Sequence, residues 1–310
     1  MYEIRKLRNY ETNNMYSQID SNKRKTALLI SVFIAFILAI GWFVGNYSGY
    51  GNSMVVFAVV LSVLMTLISY YNGDKIALVS TGAKEIKKEE NPYVYKMVEN
   101  LCITAGLPVP KVYIIDSPAL NAFATGRDPQ HASVALTTGI IQALQNEELE
   151  GVIAHELSHV KNFDIRLMTI VVVLVGSIAI ISNWFFRAQF LMGGRRSNND
   201  RGGGQIAGII MIVGFVLLML SPVIAELIKL AISRKREYLA DASGSLLTRY
   251  PEGLARALEK ISQSNTPLQT ASAATAHLFI SNPFKGKSFL NMFSTHPPIE
   301  DRIKKLRGMA

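Results

Sequence analysis

Two histidines set four residues apart with a glutamate between them, His155-Glu156-Leu157-Ser158-His159, form the densest piece of potential chemistry in this chain. On a helix, positions i and i+4 share one face, so both imidazoles can grip a single zinc ion. Glu156 is then placed to take a proton from an attacking water. The plainer alternative is a pair of hydrogen-bonded histidines on an ordinary helix.

A catalytic zinc takes three protein ligands and keeps one position open. A compact third histidine is missing, because positions 162 and 165 are Asn and Ile. His131, His277 and His296 are the other histidines, which makes a carboxylate ligand the natural choice. Ser233-Arg234-Lys235-Arg236-Glu237-Tyr238-Leu239-Ala240-Asp241 offers Glu237 and Asp241 at i and i+4. One acid can bind the metal while the other orients a ligand histidine through its free ring N–H. Spacing leaves the two roles open, and Glu237 could instead pair with its basic neighbours in solvent.

The elements around the motif read as follows. Asn146 is a plausible N-cap, followed by Glu147, Glu148 and Glu150 at the positive end of the helix dipole. Val112–Ile115 and Ala132–Thr137 read as strands, with Asn121–Thr125 between them. A small sheet beside the zinc helix would offer Asn121, Ala122, Phe123 and Ala124 as an edge to which an extended peptide can add. These residues would otherwise be core strand.

The rest of the chain is dominated by apolar runs. Charged residues make up only 18% of 310, below the roughly 25% of soluble domains. Four runs carry no charge: Ala27–Val44, Met54–Tyr71, Leu167–Phe186 and Ile206–Ala225. Each approaches the roughly 20 residues that cross a bilayer. Arg5, Lys6, Arg8, Lys23, Arg24 and Lys25 precede the first run, and Gly45–Ser53 is uncharged. The positive-inside bias therefore puts the N-terminus, and everything after Tyr71, in the cytoplasm. The first run is read as an uncleaved anchor, since it outruns a signal-peptide core and no small-residue cleavage site follows. Runs three and four are read as a second hairpin, with a shallow pair lying in the interface as the alternative, since Arg187, Arg195, Arg196 and Arg201 in the loop between them run against that bias.

The expected organisation is a basic N-terminus (1–25), a membrane hairpin (26–72), a first soluble part (73–166), a second hairpin (167–230, with a low-complexity loop at 187–204) and a second soluble part (231–310). His159 lies eight residues before Leu167, about 12 Å of helix, and Glu237 twelve after Ala225, about 18 Å. The chemistry should therefore sit at the cytoplasmic membrane surface. The net charge of +9 gathers at membrane flanks, which favours anionic lipid over nucleic acid. A transporter would carry charges or broken helices in its spans, and these lack the charges. A single Cys, Cys102, excludes a disulfide framework.

HELSH with Val160-Lys161-Asn162-Phe163-Asp164, then RKREYLAD, then Ser294-Thr295-His296-Pro297-Pro298-Ile299-Glu300-Asp301-Arg302-Ile303 resembles the HtpX family of bacterial membrane zinc metalloproteases, relatives of the CAAX prenyl proteases. Asn121-Ala122-Phe123-Ala124-Thr125-Gly126 matches a further family motif. The resemblance implies an α-helical membrane protein with an α+β, gluzincin-type zinc protease domain, mostly helical with a small β-sheet. It implies one Zn²⁺ per chain held by His155, His159 and Glu237, with Glu156 as general base and acid and Asp241 orienting a ligand. His296 and Arg302 are candidate oxyanion donors, against a rigid His-Pro-Pro turn and a surface arginine; Tyr238 is an outside candidate. Implied too are cleavage of membrane proteins or unfolded polypeptides, quality control, and a bacterial inner membrane. The alternative is a catalytically silent scaffold or chaperone of the same fold.

Overall fold

The computed structural model describes residues 2–193, 234–284 and 297–309. Run four, residues 194–204 of the arginine-bearing loop, and His296 lie outside the described residues. Two long helices, α1 (Tyr2–Ser48) and α2 (Asn52–Ser80), form an antiparallel hairpin turned by Gly49 and Gly51, both at positive φ. Small residues let these helices touch. A Cβ on Gly41 would lie 2.4 Å from the Ala58 side chain, and one on Gly45 would lie 2.3 Å from the Gly51 carbonyl. This Gly-x-x-x-Gly spacing suits close packing in lipid, where neighbouring helices gain little from burying apolar bulk. Many large apolar residues, Trp42, Val56, Phe57 and Leu64 among them, point outward instead. Asp20–Asn46 and Asn52–Ser80 are each long and apolar enough to cross a bilayer, yet only 17% of either apolar window is buried. A soluble core helix would show the reverse.

The next segment builds a four-stranded mixed sheet: β1 (Ala83–Glu85), β2 (Lys111–Ile115), β3 (Ala122–Gly126) and β4 (Ala132–Thr137). The strand order is β1-β2-β4-β3, with β2 and β4 parallel and both outer pairs antiparallel. Both strands read from the sequence are present, and β3 lies at the edge. Between β1 and β2, α3 (Pro92–Ala105) starts at Asn91, whose side chain accepts the Val94 N–H, and ends at Gly106 in the left-handed region.

After the short α4 (Thr138–Ala143) comes α5 (Asn146–Lys161), which carries the HExxH motif. Its cap is Gln145 and not Asn146: Glu148 reaches back to accept the Gln145 N–H at 2.8 Å. Glu148 is itself buried and paired with Lys260 Nζ at 2.6 Å, so the side chain that caps α5 is also held from outside the helix. The soluble core joins α3, the sheet and α5 to α8 (Pro251–Gln263), through Leu101, Val134, Ile153, Leu157 and Leu258.

Between α5 and α6 (Asp164–Gly193) the helix does not continue straight, as the distance argument from sequence assumed. Phe163 adopts φ 58°, a left-handed conformation that costs a non-glycine residue roughly 1–2 kcal/mol. The chain turns there, and run three then packs on the hairpin, with Leu167, Val171 and Leu174 against Leu29, Phe33 and Ile37. Helix continues to Gly193, so residues 187–193 of the expected loop are helical. Among the described residues, α7 (Arg234–Thr248) precedes α8 and α9 (Ile299–Arg307) follows it.

Gly151 sets how closely α5 and α8 approach. A Cβ there would lie 2.8 Å from Leu254 N and 3.0 Å from its Cα. Backbone cannot swing aside, so Gly151→Ala should destabilise the fold by about 1–3 kcal/mol. Better helix propensity returns at most about 1 kcal/mol. Urea unfolding in detergent micelles measures this; equal or greater stability would mean that α5 and α8 can part at little cost.

Candidate metal centre

Helix α5 brings His155 and His159 onto one face, and α7 brings Glu237 opposite them. The three offer ligand atoms within 4.8 Å of one another, and all are buried. The Nε2 atoms face each other at 3.2 Å; Glu237 Oε1 is 3.6 Å from His159 Nε2 and Oε2 is 3.9 Å from His155 Nε2. A tetrahedral zinc with bonds of about 2.0–2.1 Å sets its ligand atoms roughly 3.3 Å apart, so this donor set fits zinc with small adjustments.

Each ring has an acid behind it. His155 Nδ1 lies 2.9 Å from Asp241 Oδ1, a close pair without in-line hydrogen-bond geometry. His159 Nδ1 lies 2.9 Å from Asp164 Oδ2, an acid that the Phe163 turn presents at the first residue of α6. A proton held on Nδ1 leaves the Nε2 lone pair pointing inward, the tautomer a metal needs.

Arg302, from α9, is fully buried, which removes the surface-residue reading. Its fork closes on Asp241, with Nε to Oδ2 at 2.8 Å and Nη2 to Oδ1 at 2.6 Å. Nη1 donates to Ile280 O at 3.2 Å and lies 3.7 Å from Glu237 Oε2. Arg236 is also buried and sits 3.6 Å from Asp164 Oδ1. Four buried carboxylates, Glu156, Asp164, Glu237 and Asp241, thus face two buried guanidiniums. With both imidazoles neutral, as ligands must be, and the acids ionised, that leaves an excess of negative charge suited to a divalent cation, and without the ion protons on His159 and Glu156 take its place.

The surroundings shift these groups apart. Burial, with the charge of Glu237, lifts Glu156 to about 7, against the pull of His159, the Ala124 N–H and Arg302. Burial opposes ionisation of Asp241, yet Arg302 and His155 hold it at about 2. Burial lowers His155, aided by Arg302 and His159 and opposed by Asp241. His159 goes the other way: burial would lower it, but Asp164, Glu237 and Glu156 raise it to about 9.

The remaining expected residues fall as follows. His131 pairs with Asp128 at the surface, and buried His277 has Nε2 3.0 Å from Met168 O; neither faces the centre. Tyr238 carries Lys305 Nζ over its ring at 3.2 Å, outside the ligand set. The edge Asn121–Ala124 lies beside Glu156, and its outer side is already engaged by the chain. Ala122 O accepts the Ile280 N–H at 3.0 Å, and Asn121 Nδ2 donates to Ser281 O at 3.0 Å. The Gly126 N–H goes to Thr169 Oγ1 at 3.1 Å. Sequence reasoning missed Asp164, although it closes the quoted HELSHVKNFD stretch; the signal was an acid five residues beyond His159, legible only once the turn is known.

A buried His–His–Glu centre with a neighbouring glutamate, held by two helices beside a small sheet and joined to two bilayer-length helices, defines a membrane-associated metalloprotease. The chain belongs to Peptidase family M48, whose sequence pattern matches residues 88–310. It is 45% identical over 298 residues to the "Protease HtpX homolog" of Caldanaerobacter subterraneus subsp. tengcongensis, covering 95% of this chain and 98% of that protein. With the like-named protein of Tropheryma whipplei it shares 46% over 295 residues, again 95% and 98% of the two chains. The crystal structure of S. mikatae Ste24p aligns at 20% identity and a TM-score of 0.44, over 94% of this chain and 67% of that one, too distant to bear on the site.

Arg302→Ala would leave Asp241 buried without its fork. Stability should fall by about 3–5 kcal/mol, the cost of orphaning a buried charge. Chemical denaturation reads this directly, and a loss under 1 kcal/mol would mean that solvent reaches Asp241.

Proposed function

We propose that the chain holds one zinc ion on His155, His159 and Glu237 and cleaves peptide bonds in membrane proteins or unfolded polypeptides. The observation that carries this reading is the convergence of three ligand atoms within 4.8 Å with Glu156 one residue from a ligand. Zinc bound there supplies Lewis acidity for water and for the scissile carbonyl. Glu156 takes the proton of the attacking water and returns it to the leaving amine. Asp241 and Asp164 hold the two imidazoles in their metal-binding tautomers. Arg302, whose fork is spent on Asp241, acts by positioning, and His296 remains the candidate donor to the developing oxyanion.

An extended peptide is held along β3, the strand read from the sequence as a docking edge. Because Ile280 N–H now occupies Ala122 O, such a peptide reaches Ala122 by displacing Ile280. The reading places the protein in a bacterial plasma membrane, with the protease domain on the cytoplasmic side and a role in quality control. The basic cluster Lys23, Arg24 and Lys25 at one end of the first span supports that orientation and suits anionic lipid headgroups. A silent scaffold would lack a ligand or Glu156, and all four residues are present.

Glu156→Gln keeps the shape and removes the base. Cleavage of an unfolded membrane protein in detergent should drop by about 10²–10⁴-fold while zinc stays at one per chain. Undiminished cleavage with zinc retained would sink the proposal, as would a wild-type protein that binds no zinc.

A further inference from the structure

Asn22 belongs to the first membrane helix, far in sequence from every residue of the metal centre, yet it is only 2% exposed. Polar side chains at the end of an apolar helix normally reach for water, so a buried one calls for partners. Asn22 has three. Its Nδ2 donates to Asp164 Oδ1 at 2.7 Å and, at 3.3 Å, to the carbonyl of Asn162, the residue that ends α5. Its Oδ1 accepts from Arg236 Nη1 at 3.0 Å. The other oxygen of Asp164 is the one that faces His159 Nδ1.

We infer that Asn22 is a positioning residue for the metal centre: it fixes the Asp164 carboxylate, and through it the ring of His159. The inference rests on the zinc reading of His155, His159 and Glu237. The chemistry is specific to an amide. The carboxylate of Asp164 must offer one oxygen to His159 and satisfy the other, which needs a donor. Arg236, one residue before the ligand Glu237, must be held nearby to balance that charge, which needs an acceptor. Asn supplies both from one short side chain with little freedom. It also ties together the end of α5, the start of α6 and the start of α7, the three places where the centre's geometry is set. The first span thereby acts on the site as well as anchoring it: without α1 docked, Asp164 loses the amide that donates to its Oδ1.

The test uses the full-length protein in detergent, loaded with zinc or with cobalt as a spectroscopic substitute. Asn22→Ala and Asn22→Asp are compared with wild type; Asn22→Asp keeps the volume and the acceptor but removes the donor. Zinc release to a chromogenic chelator should quicken by about 10-fold or more in both variants, the scale of outer-sphere effects on metal affinity. The visible bands of bound cobalt should shift as His159 turns. A merely structural role predicts a lower unfolding temperature with unchanged bands and release. The decisive comparison is the pair with Asp164→Asn. If Asn22 works through Asp164, adding Asn22→Ala to Asp164→Asn quickens release no further. Additive effects on release would overturn the inference, as would wild-type release and bands in Asn22→Asp. Wild-type protein that binds neither metal would overturn the zinc reading itself, a result distinct from loss of coupling alone.

Discussion

The structure is organised by one electrostatic problem: charged groups gathered out of water around two imidazoles. Glu156, Asp164, Glu237, Asp241, Arg236 and Arg302 are all buried. Taking an ion out of water costs several kcal/mol even after the surroundings relax, and an unpaired one is worse. The arrangement answers this with geometry. Arg302 meets Asp241 through a two-point fork at 2.6 and 2.8 Å, which orients the carboxylate as well as neutralising it. Asp164 divides its two oxygens between His159 and Asn22. The Glu237 carboxylate converges on the place where the two Nε2 atoms meet, so that the group most stabilised there is a cation.

That solution demands elements that cannot be neighbours in sequence. One helix supplies two ligands because a 3.6-residue period puts i and i+4 on one face, but it cannot also supply the acids behind the rings. The turn at Phe163 brings Asp164 back towards His159 at a cost in backbone strain, and rings and cations gather around it. Lys23 and Arg166 lie 5.9 and 5.2 Å from the centroid of the Phe163 ring. The same turn sends α6 against the hairpin, so the placement of an acid and the packing of α6 on α1 and α2 are a single event in the chain.

Much of this was legible in the sequence because it depends on local periodicity. HExxH, the acid pair Glu237 and Asp241, the strands at 112–115 and 132–137, and the two uncharged runs at 27–44 and 54–71 are short-range patterns. What was not legible depends on long-range partners. Gln145 rather than Asn146 caps α5, and the Glu148 that completes the cap is tied to Lys260, more than a hundred residues away. Asp164 reads as an ordinary helix-opening acid until the left-handed Phe163 turns it inward. Asn22 sits beside a run of lysines and arginines and reads as part of a solvated flank. The Asn121–Ala124 edge was visible, but its cover of residues 280 and 281 has no signature in composition.

The centre is closed from both ends of the chain. His155 is steadied through Asp241 by Arg302, within nine residues of the C-terminus, and His159 through Asp164 by Asn22 in the first span. Contacts of such separation lose loop-closure entropy before they return any energy, so they form late and hold only if several close together. The burial of every charged member makes a partial set unfavourable: Arg302 without Asp241, or Asp164 without a donor, is an unpaired group in a low-dielectric interior. Such a network tends to be either complete or open. A hydrolytic centre built this way is finished only when α1 is docked and α9 is in place.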